Sequence, residues 1–252
     1  MSEEEEVKYS YLTNTFLIIT LIFFVFNLVT ARISTSSTYN EFKEKAGGVR
    51  FSTSLIYAFV VLLFQIVSNI KNARILCGEG TAKKAILHTL TPNLFIFILV
   101  VVLLQAMPSW KSPFSNTFGY LFAMSPLGNV KSVFSQLLKE DSNNKLISLI
   151  YQDKSLMINE MTPDNFSLFF EKMTKQGIIK ERKNLPERDE LMIKLYNGVL
   201  IKDIVAKTIW YLLAGLVSIS IAYNNVLTMT LECRKSETDI NKEMNTRGLN
   251  DE

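Results

Sequence analysis

One histidine and two cysteines in 252 residues are too few for most transition-metal sites or for a disulfide framework. Charge is also sparse. Asp, Glu, Lys and Arg together make up 20% of the chain, below the roughly 25% of soluble domains. The net charge of +3 gives no nucleic-acid footprint, which needs Lys and Arg clustered on one face. Cys77-Gly78-Glu79-Gly80-Thr81 lacks the spacing and the preceding strand of a phosphate loop. No Ser/His pair and no paired Asp lies within an apolar run, so nucleophilic or intramembrane proteolytic chemistry has no residues to use. The sequence therefore nominates no catalytic, cofactor or metal residue, and a non-enzyme is the expectation. What is present is apolar: 48% hydrophobic residues, a mean hydropathy of +0.18, and apolar positions that are bunched. Disorder, collagen and coiled coil are excluded by this composition.

Four stretches carry no charge at all: 9–31, 51–70, 85–110 and 208–231. Each reaches the roughly 20 residues that a helix needs to cross a hydrocarbon core about 30 Å thick. Only segments that close their own backbone hydrogen bonds survive there, so four transmembrane helices are expected, over about 13–31, 53–70, 89–107 and 208–229. Buried helices of a soluble protein are the alternative, and four runs of this length argue against it. The first run is expected to be a retained span and not a signal peptide, because Ser2–Lys8 carries four consecutive glutamates where a basic n-region is usual. Four spans place an acidic tail (1–12), the loop 71–88 and a polar tail (231–252) on one face. The loop 32–52 and the long segment 108–207 then share the other. The two short loops hold four Lys/Arg each, so the positive-inside rule does not orient the chain. Cytosolic termini are the working expectation.

The expected class is all-α: three spans with two short loops over 13–107, a mainly helical extramembrane insertion over 108–207, and a fourth span over 208–230. At the start of the insertion, Trp110, Phe114, Phe118 and Tyr120 stand among Pro108, Pro113 and Gly119. Rings with one apolar and one hydrogen-bonding end favour the headgroup layer, so these residues are candidate membrane-interface anchors. Trp210, at the entrance of span four, joins them. Packing of Phe114 and Phe118 into the insertion's own core is the competing reading. Val130, Phe134, Leu137 and Leu138 share one helical face. Thr162-Pro163-Asp164 reads as a helix start, followed by a stripe of Phe166, Phe169, Phe170 and Met173 that ends near Gly177. A second start at Leu185-Pro186-Glu187 leads into span four with no breaker except Gly198.

Polar residues within the spans include the amides Asn27, Gln65, Asn69, Asn93, Gln105, Asn224 and Asn225, none of them ionisable. Coupled carriers and voltage sensors use intramembrane charge, so the amides read as interhelical hydrogen-bonding groups. Ala214, Ser218 and Ala222 recur every four residues with Gly215 beside them, a face on which two helix backbones can approach closely. The partner is another span of the chain or a second copy, making a homo-oligomer. Cys77 and Cys233 fall near membrane exits on one face, where they are unrelated thiols, palmitoylation sites or a disulfide pair. Asn165-Phe166-Ser167 matches the glycosylation acceptor pattern inside a helical turn.

Two stretches carry a resemblance: Met107-Pro-Ser-Trp-Lys-Ser-Pro-Phe-Ser-Asn-Thr-Phe-Gly-Tyr120, and Ile209-Trp-Tyr-Leu-Leu-Ala-Gly-Leu-Val-Ser-Ile-Ser-Ile-Ala-Tyr-Asn224. With Asn159–Phe166 between them, they resemble a multipass virion membrane protein family of nucleocytoplasmic large DNA viruses, over roughly 75–225. That family has glycine where Ser109 stands and Thr-Gly-Ser where Ala214-Gly215-Leu216 stands. The resemblance implies a structural component of a viral internal membrane or host endomembrane. Its partners would be the lipid bilayer, capsid proteins or neighbouring virion membrane proteins, and it transfers no catalytic residue. A small channel of viroporin type and an assembly factor outside the particle are the alternatives.

Overall fold

A computed structural model of the chain describes residues 3–33, 38–139, 149, 153, 155–180 and 185–248. Among them the fold is all-α, with one isolated antiparallel bridge, Leu138 to Ile179. The long helices are α1 (Glu3–Ile33), α2 (Tyr39–Cys77), α3 (Ala82–Ala106) and α8 (Leu185–Gly248). Between α3 and α8 lie α4 (Tyr120–Met124), α5 (Val130–Leu137), α6 (Ser155–Ile158) and α7 (Phe166–Lys175). Four helices are long and apolar enough to cross a membrane, over Lys8–Arg32, Tyr39–Ile75, Ala82–Ala106 and Pro186–Cys233. This is compatible with an integral membrane protein.

The chain forms two compact units and passes from one to the other within α1, α2, α3 and α8. One unit gathers 1–19, 56–101 and 212–252. Its outward surface is apolar: Ile18, Phe59, Val67 and Phe95 are exposed, Phe95 to 72%. Exposure of that extent on several helices is compatible with a hydrocarbon surrounding. Inside the unit, Tyr9 meets Tyr223 with ring centroids 5.3 Å apart, and Tyr57 meets Phe97 at 5.9 Å. α3 carries Pro92, which has no N–H to donate, and the next turn, Asn93–Ile98, is a π-helical stretch that absorbs the mismatch. On α8, Ala214, Ser218 and Ala222 are buried on one face. Beside them Gly215 lies so close to α1 that a Cβ there would overlap the ring of Phe16.

The other unit gathers 20–55 and 102–211. Its core joins Val130, Val133, Phe134 and Leu137 of α5 and Phe166 and Phe170 of α7 to Leu195, Tyr196 and Val199 of α8. Tyr39, Phe42 and Ala46 belong to the same core. The segment 39–52, expected as part of a loop, is instead the first turns of α2. Those three residues recur at i, i+3 and i+7, a short apolar stripe that the adjacent Glu41, Lys43, Glu44 and Lys45 disguise. The stretch 108–124 carries Pro108, Pro113 and Gly119. It is a run of short helical turns: Pro108–Lys111, Ser112–Phe114, Ser115–Gly119 and then α4. Both prolines sit in the first turn of their segments, where no N–H is needed. Gly119 lies against α8, and a Cβ there would stand 2.5 Å from the Lys202 carbonyl oxygen.

α7 begins at Phe166, later than the Thr162-Pro163-Asp164 signal, which forms a turn. Asn165 Oδ1 accepts from Thr162 N–H at 2.8 Å, Thr162 Oγ1 accepts from Asn165 N–H at 3.2 Å, and Asn165 Nδ2 donates to the Glu160 carbonyl at 2.9 Å. The acceptor amide of the glycosylation pattern is thus consumed in holding this turn together. α7 ends at Gly177, whose φ of 71° permits the reversal and lets Ile178 N–H return to the Met173 carbonyl at 3.0 Å. Hydrogen bonds from Ser155, its hydroxyl first and its N–H second, hold the Asp153 carboxyl below the usual range at the start of α6.

Substituting Gly215→Ala should lower the stability of the detergent-solubilised protein by about 1–3 kcal/mol, because the methyl group and the Phe16 ring compete for one volume. Adding Phe16→Ala should remove most of that increment in denaturant titrations. Strictly additive losses would show that the ring does not limit the approach of the two helices.

Candidate functional site

Residues 199–208 of α8 form a run in which every side chain is buried, so the helix is surrounded on all sides over almost three turns. Three charged groups sit in this run: Lys202, Asp203 and Lys207. A buried charge is costly unless paired and hydrogen-bonded, and the neighbouring elements supply the partners. Arg50, from α2, places Nη2 3.2 Å from Asp203 Oδ2. Lys111, from the turn after α3, places Nζ on Asp203 Oδ1. The side chains of Arg50, Lys111 and Asp203 are 15%, 6% and 5% exposed, so bulk water does little to screen them. Lys207 lies one helical turn beyond Asp203 and is buried.

Lys202 makes a second junction on the same helix. Its Nζ donates to the Ile158 carbonyl at 2.7 Å, the Asn159 carbonyl at 3.1 Å and Asn116 Oδ1 at 3.2 Å. An ammonium has three donors, and all three are used. One side chain thereby fixes the end of α6 and the turn Ser115–Gly119 against α8. The cluster as a whole sets four cations (Arg50, Lys111, Lys202, Lys207) around one buried anion, Asp203. Its opposite charges hold the segments that carry them against α8 electrostatically. Among the described residues there is no group of three or more His, Cys, Asp or Glu side chains able to hold a metal.

Sequence reasoning missed this cluster. In the sequence, Arg50, Lys111 and Lys207 simply adjoin the charge-free runs 51–70, 85–110 and 208–231. The available signal was Lys202-Asp203 itself, two charges set between Val199-Leu-Ile201 and Ile204-Val-Ala206 with no polar neighbour. Isolated charges in an apolar helix run mark buried pairing, because a solvated helix face would carry more of them.

The aromatic candidates divide. Trp110, Phe114 and Trp210 come together: Trp210 Nε1 donates to the Trp110 carbonyl at 2.9 Å, and the Trp210 ring lies 5.2 Å from Phe114 and 6.5 Å from Trp110. Trp110 remains half exposed. Phe118 is exposed apart from them, and Tyr120 is half-buried against the core of α5, α7 and α8. Of the small residues, Ala214, Ser218 and Ala222 are buried, and Gly215 faces Phe16 of the same chain.

The amides are mostly drawn into pairs. Asn93 Nδ2 donates to Gln65 Oε1 at 2.8 Å and to the Thr89 carbonyl at 2.9 Å, and Asn69 Nδ2 donates to Thr89 Oγ1 at 2.9 Å. These four buried residues form a ladder between α2 and α3. Asn27 Oδ1 accepts from Thr53 Oγ1 at 3.1 Å, while its Nδ2 caps the Phe23 carbonyl at 2.8 Å. Gln105 is half-buried, Asn224 is exposed and Asn225 is half-buried.

Compared with known protein families, with curated proteins and with solved structures, the chain matches none.

Replacing Asp203 with Asn removes the anion and leaves Arg50 and Lys111 buried without it. A loss of about 3–5 kcal/mol is expected in detergent unfolding, the range for breaking one partner of a buried ion pair. Asp203→Asn combined with Lys111→Met should be less destabilised than Asp203→Asn alone. If the double variant is the worse of the two, Lys111 contributes through packing and not through charge.

Proposed function

We propose that the protein is a non-catalytic, four-span membrane scaffold that carries a helical domain outside the bilayer and presents it to protein partners. One observation carries the reading: two clusters of buried polar and charged groups that might line a path or a reaction site bond the chain's own helices to one another. Gln65, Asn69, Thr89 and Asn93 bond to one another across α2 and α3. Arg50, Lys111 and Asp203 bond across α2, the post-α3 turn and α8. The same observation weighs against the channel reading, because a pore needs polar groups turned to water.

The narrower form of the proposal places this scaffold in an internal membrane of a large DNA virus, in contact with capsid or neighbouring membrane proteins. Support for that form comes from the resemblance of 107–120, 159–166 and 209–224. Leu156 and Leu168 are exposed on the helical domain, at 54% and 57%, and offer apolar contact points of the kind protein partners cover.

Cysteine labelling in sealed vesicles tests the topology. With native cysteines replaced, a cysteine at Ser135 should react from one side only, and one at Cys233 from the other. Reaction of both from the same side would remove the four-span scaffold. Photo-crosslinking from position 168 should capture a capsid or membrane protein. Ion flux through vesicles holding the purified chain should stay at background, and sustained conductance would favour the channel.

A further inference from the structure

Cys77 closes α2, and its Sγ lies 3.4 Å from the Thr230 carbonyl oxygen of α8. Cys233 stands three residues further along α8, and both sulfurs are thiols in this structure, each half-buried. Residues three apart on a helix are surface neighbours, with Cβ atoms about 5–6 Å apart. A helical side chain also leans towards the N-terminus, so the surface it covers lies over the preceding turn. For Cys233 that is the turn of Thr230, the one on which the Cys77 sulfur rests. Cys77 thus rests on the turn of α8 that Cys233 follows by three residues. Both residues belong to the same compact unit, as does the turn between them.

We propose that Cys77 and Cys233 form a vicinal redox pair, a modification site that closes to an intramolecular disulfide and ties the end of α2 to α8. The proposal stands apart from the scaffold reading and holds whichever way the chain is oriented. The chemistry is exchange with a low-molecular-weight disulfide, such as oxidised glutathione. The thiolate of one cysteine attacks that disulfide, forms a mixed disulfide and expels one thiolate. The second cysteine then attacks the protein sulfur of the mixed disulfide and expels the other. Two protein thiols are oxidised, one external disulfide is reduced to two thiols, and the protons lost by the cysteines end on the leaving thiolates. Closure requires Cα atoms about 4.4–6.8 Å apart.

Neighbouring sites on α8 separate this geometry from general thiol reactivity. Glu232 precedes Cys233 by one residue and points about 100° away around the helix. A thiol moved there should be as accessible to the oxidant but turned from Cys77.

The test uses the full-length protein in detergent and in lipid vesicles, treated with a graded ratio of oxidised to reduced glutathione. Mass spectrometry of the digest should find the Cys77 peptide linked to the Cys233 peptide, and the intact monomer should lose the mass of two hydrogens. Cys77→Ser and Cys233→Ser should each abolish the linked species and instead retain glutathione as a stable mixed disulfide. The double variant Cys233→Ser, Glu232→Cys should cross-link to Cys77 at least tenfold more slowly than the wild type. Mixed disulfides on both cysteines of the wild type without a Cys77–Cys233 link would overturn the proposal. So would intermolecular dimers as the only product, or equal closure from position 232.

Discussion

A helix buried on every side cannot place a charge in water, and residues 199–208 of α8 are such a helix. Everything packed around this run is constrained by the three ionisable groups within it. Asp203 requires cations, and they come from two points far apart in sequence, Arg50 on α2 and Lys111 after α3. Lys202 requires acceptors, and they are the carbonyls of Ile158 and Asn159 and the amide of Asn116. Apolar packing would tolerate a range of rotations of α8 against its neighbours. Hydrogen-bonded charges tolerate few, because each misplacement strands a buried ion. Specificity of arrangement is the role best suited to such groups, and the exposed ion pairs contribute little beside it. Lys45–Glu41, Lys175–Glu171 and Lys194–Glu190 are local contacts on solvated helix faces.

The glycines support the same arrangement from the other side. Gly119 brings the backbone of the 115–119 turn against the carbonyl of Lys202, the residue whose side chain bonds to Asn116 within that turn. Close approach and charge pairing are thus one device, since the ammonium reaches its acceptors only if no side chain holds the turn away. Gly198, one turn before Lys202, likewise leaves room for Val130 of α5, which a Cβ would strike.

Much of the architecture was legible in the sequence because its signals are local. Charge-free runs name the four long apolar helices, the 3.6-residue stripe of Val130, Phe134 and Leu137 names α5, and Gly177 names the end of α7. What was not legible depended on distant partners. Tyr39, Phe42 and Ala46 read as a charged loop until the core of α5, α7 and α8 gives the stripe something to pack on. The buried cluster follows the same logic. Arg50, Lys111 and Lys207 look like ordinary boundary cations, and nothing local to Arg50 reports that Asp203 lies beside it. Only the Lys202-Asp203 pair, isolated among aliphatic residues, carried a local trace.

The two classes of polar group in this protein are handled differently, and the difference follows from where each sits along the helices. Amides occur inside the charge-free runs, and charges begin at their borders. A neutral amide placed among apolar helices is satisfied by one or two neighbours, as Asn93 is by Gln65 and Thr89. A charge in the same place would need a counter-ion and several further bonds, which two packed helices cannot supply. Where the chain adds a third and fourth segment around α8, those bonds become available, and there the charges appear. The extra layer built by α5, α6, α7 and the 108–124 turns is therefore what permits a buried Lys202-Asp203 pair at all. The pair in turn fixes that layer to the helix that continues into the fourth apolar run.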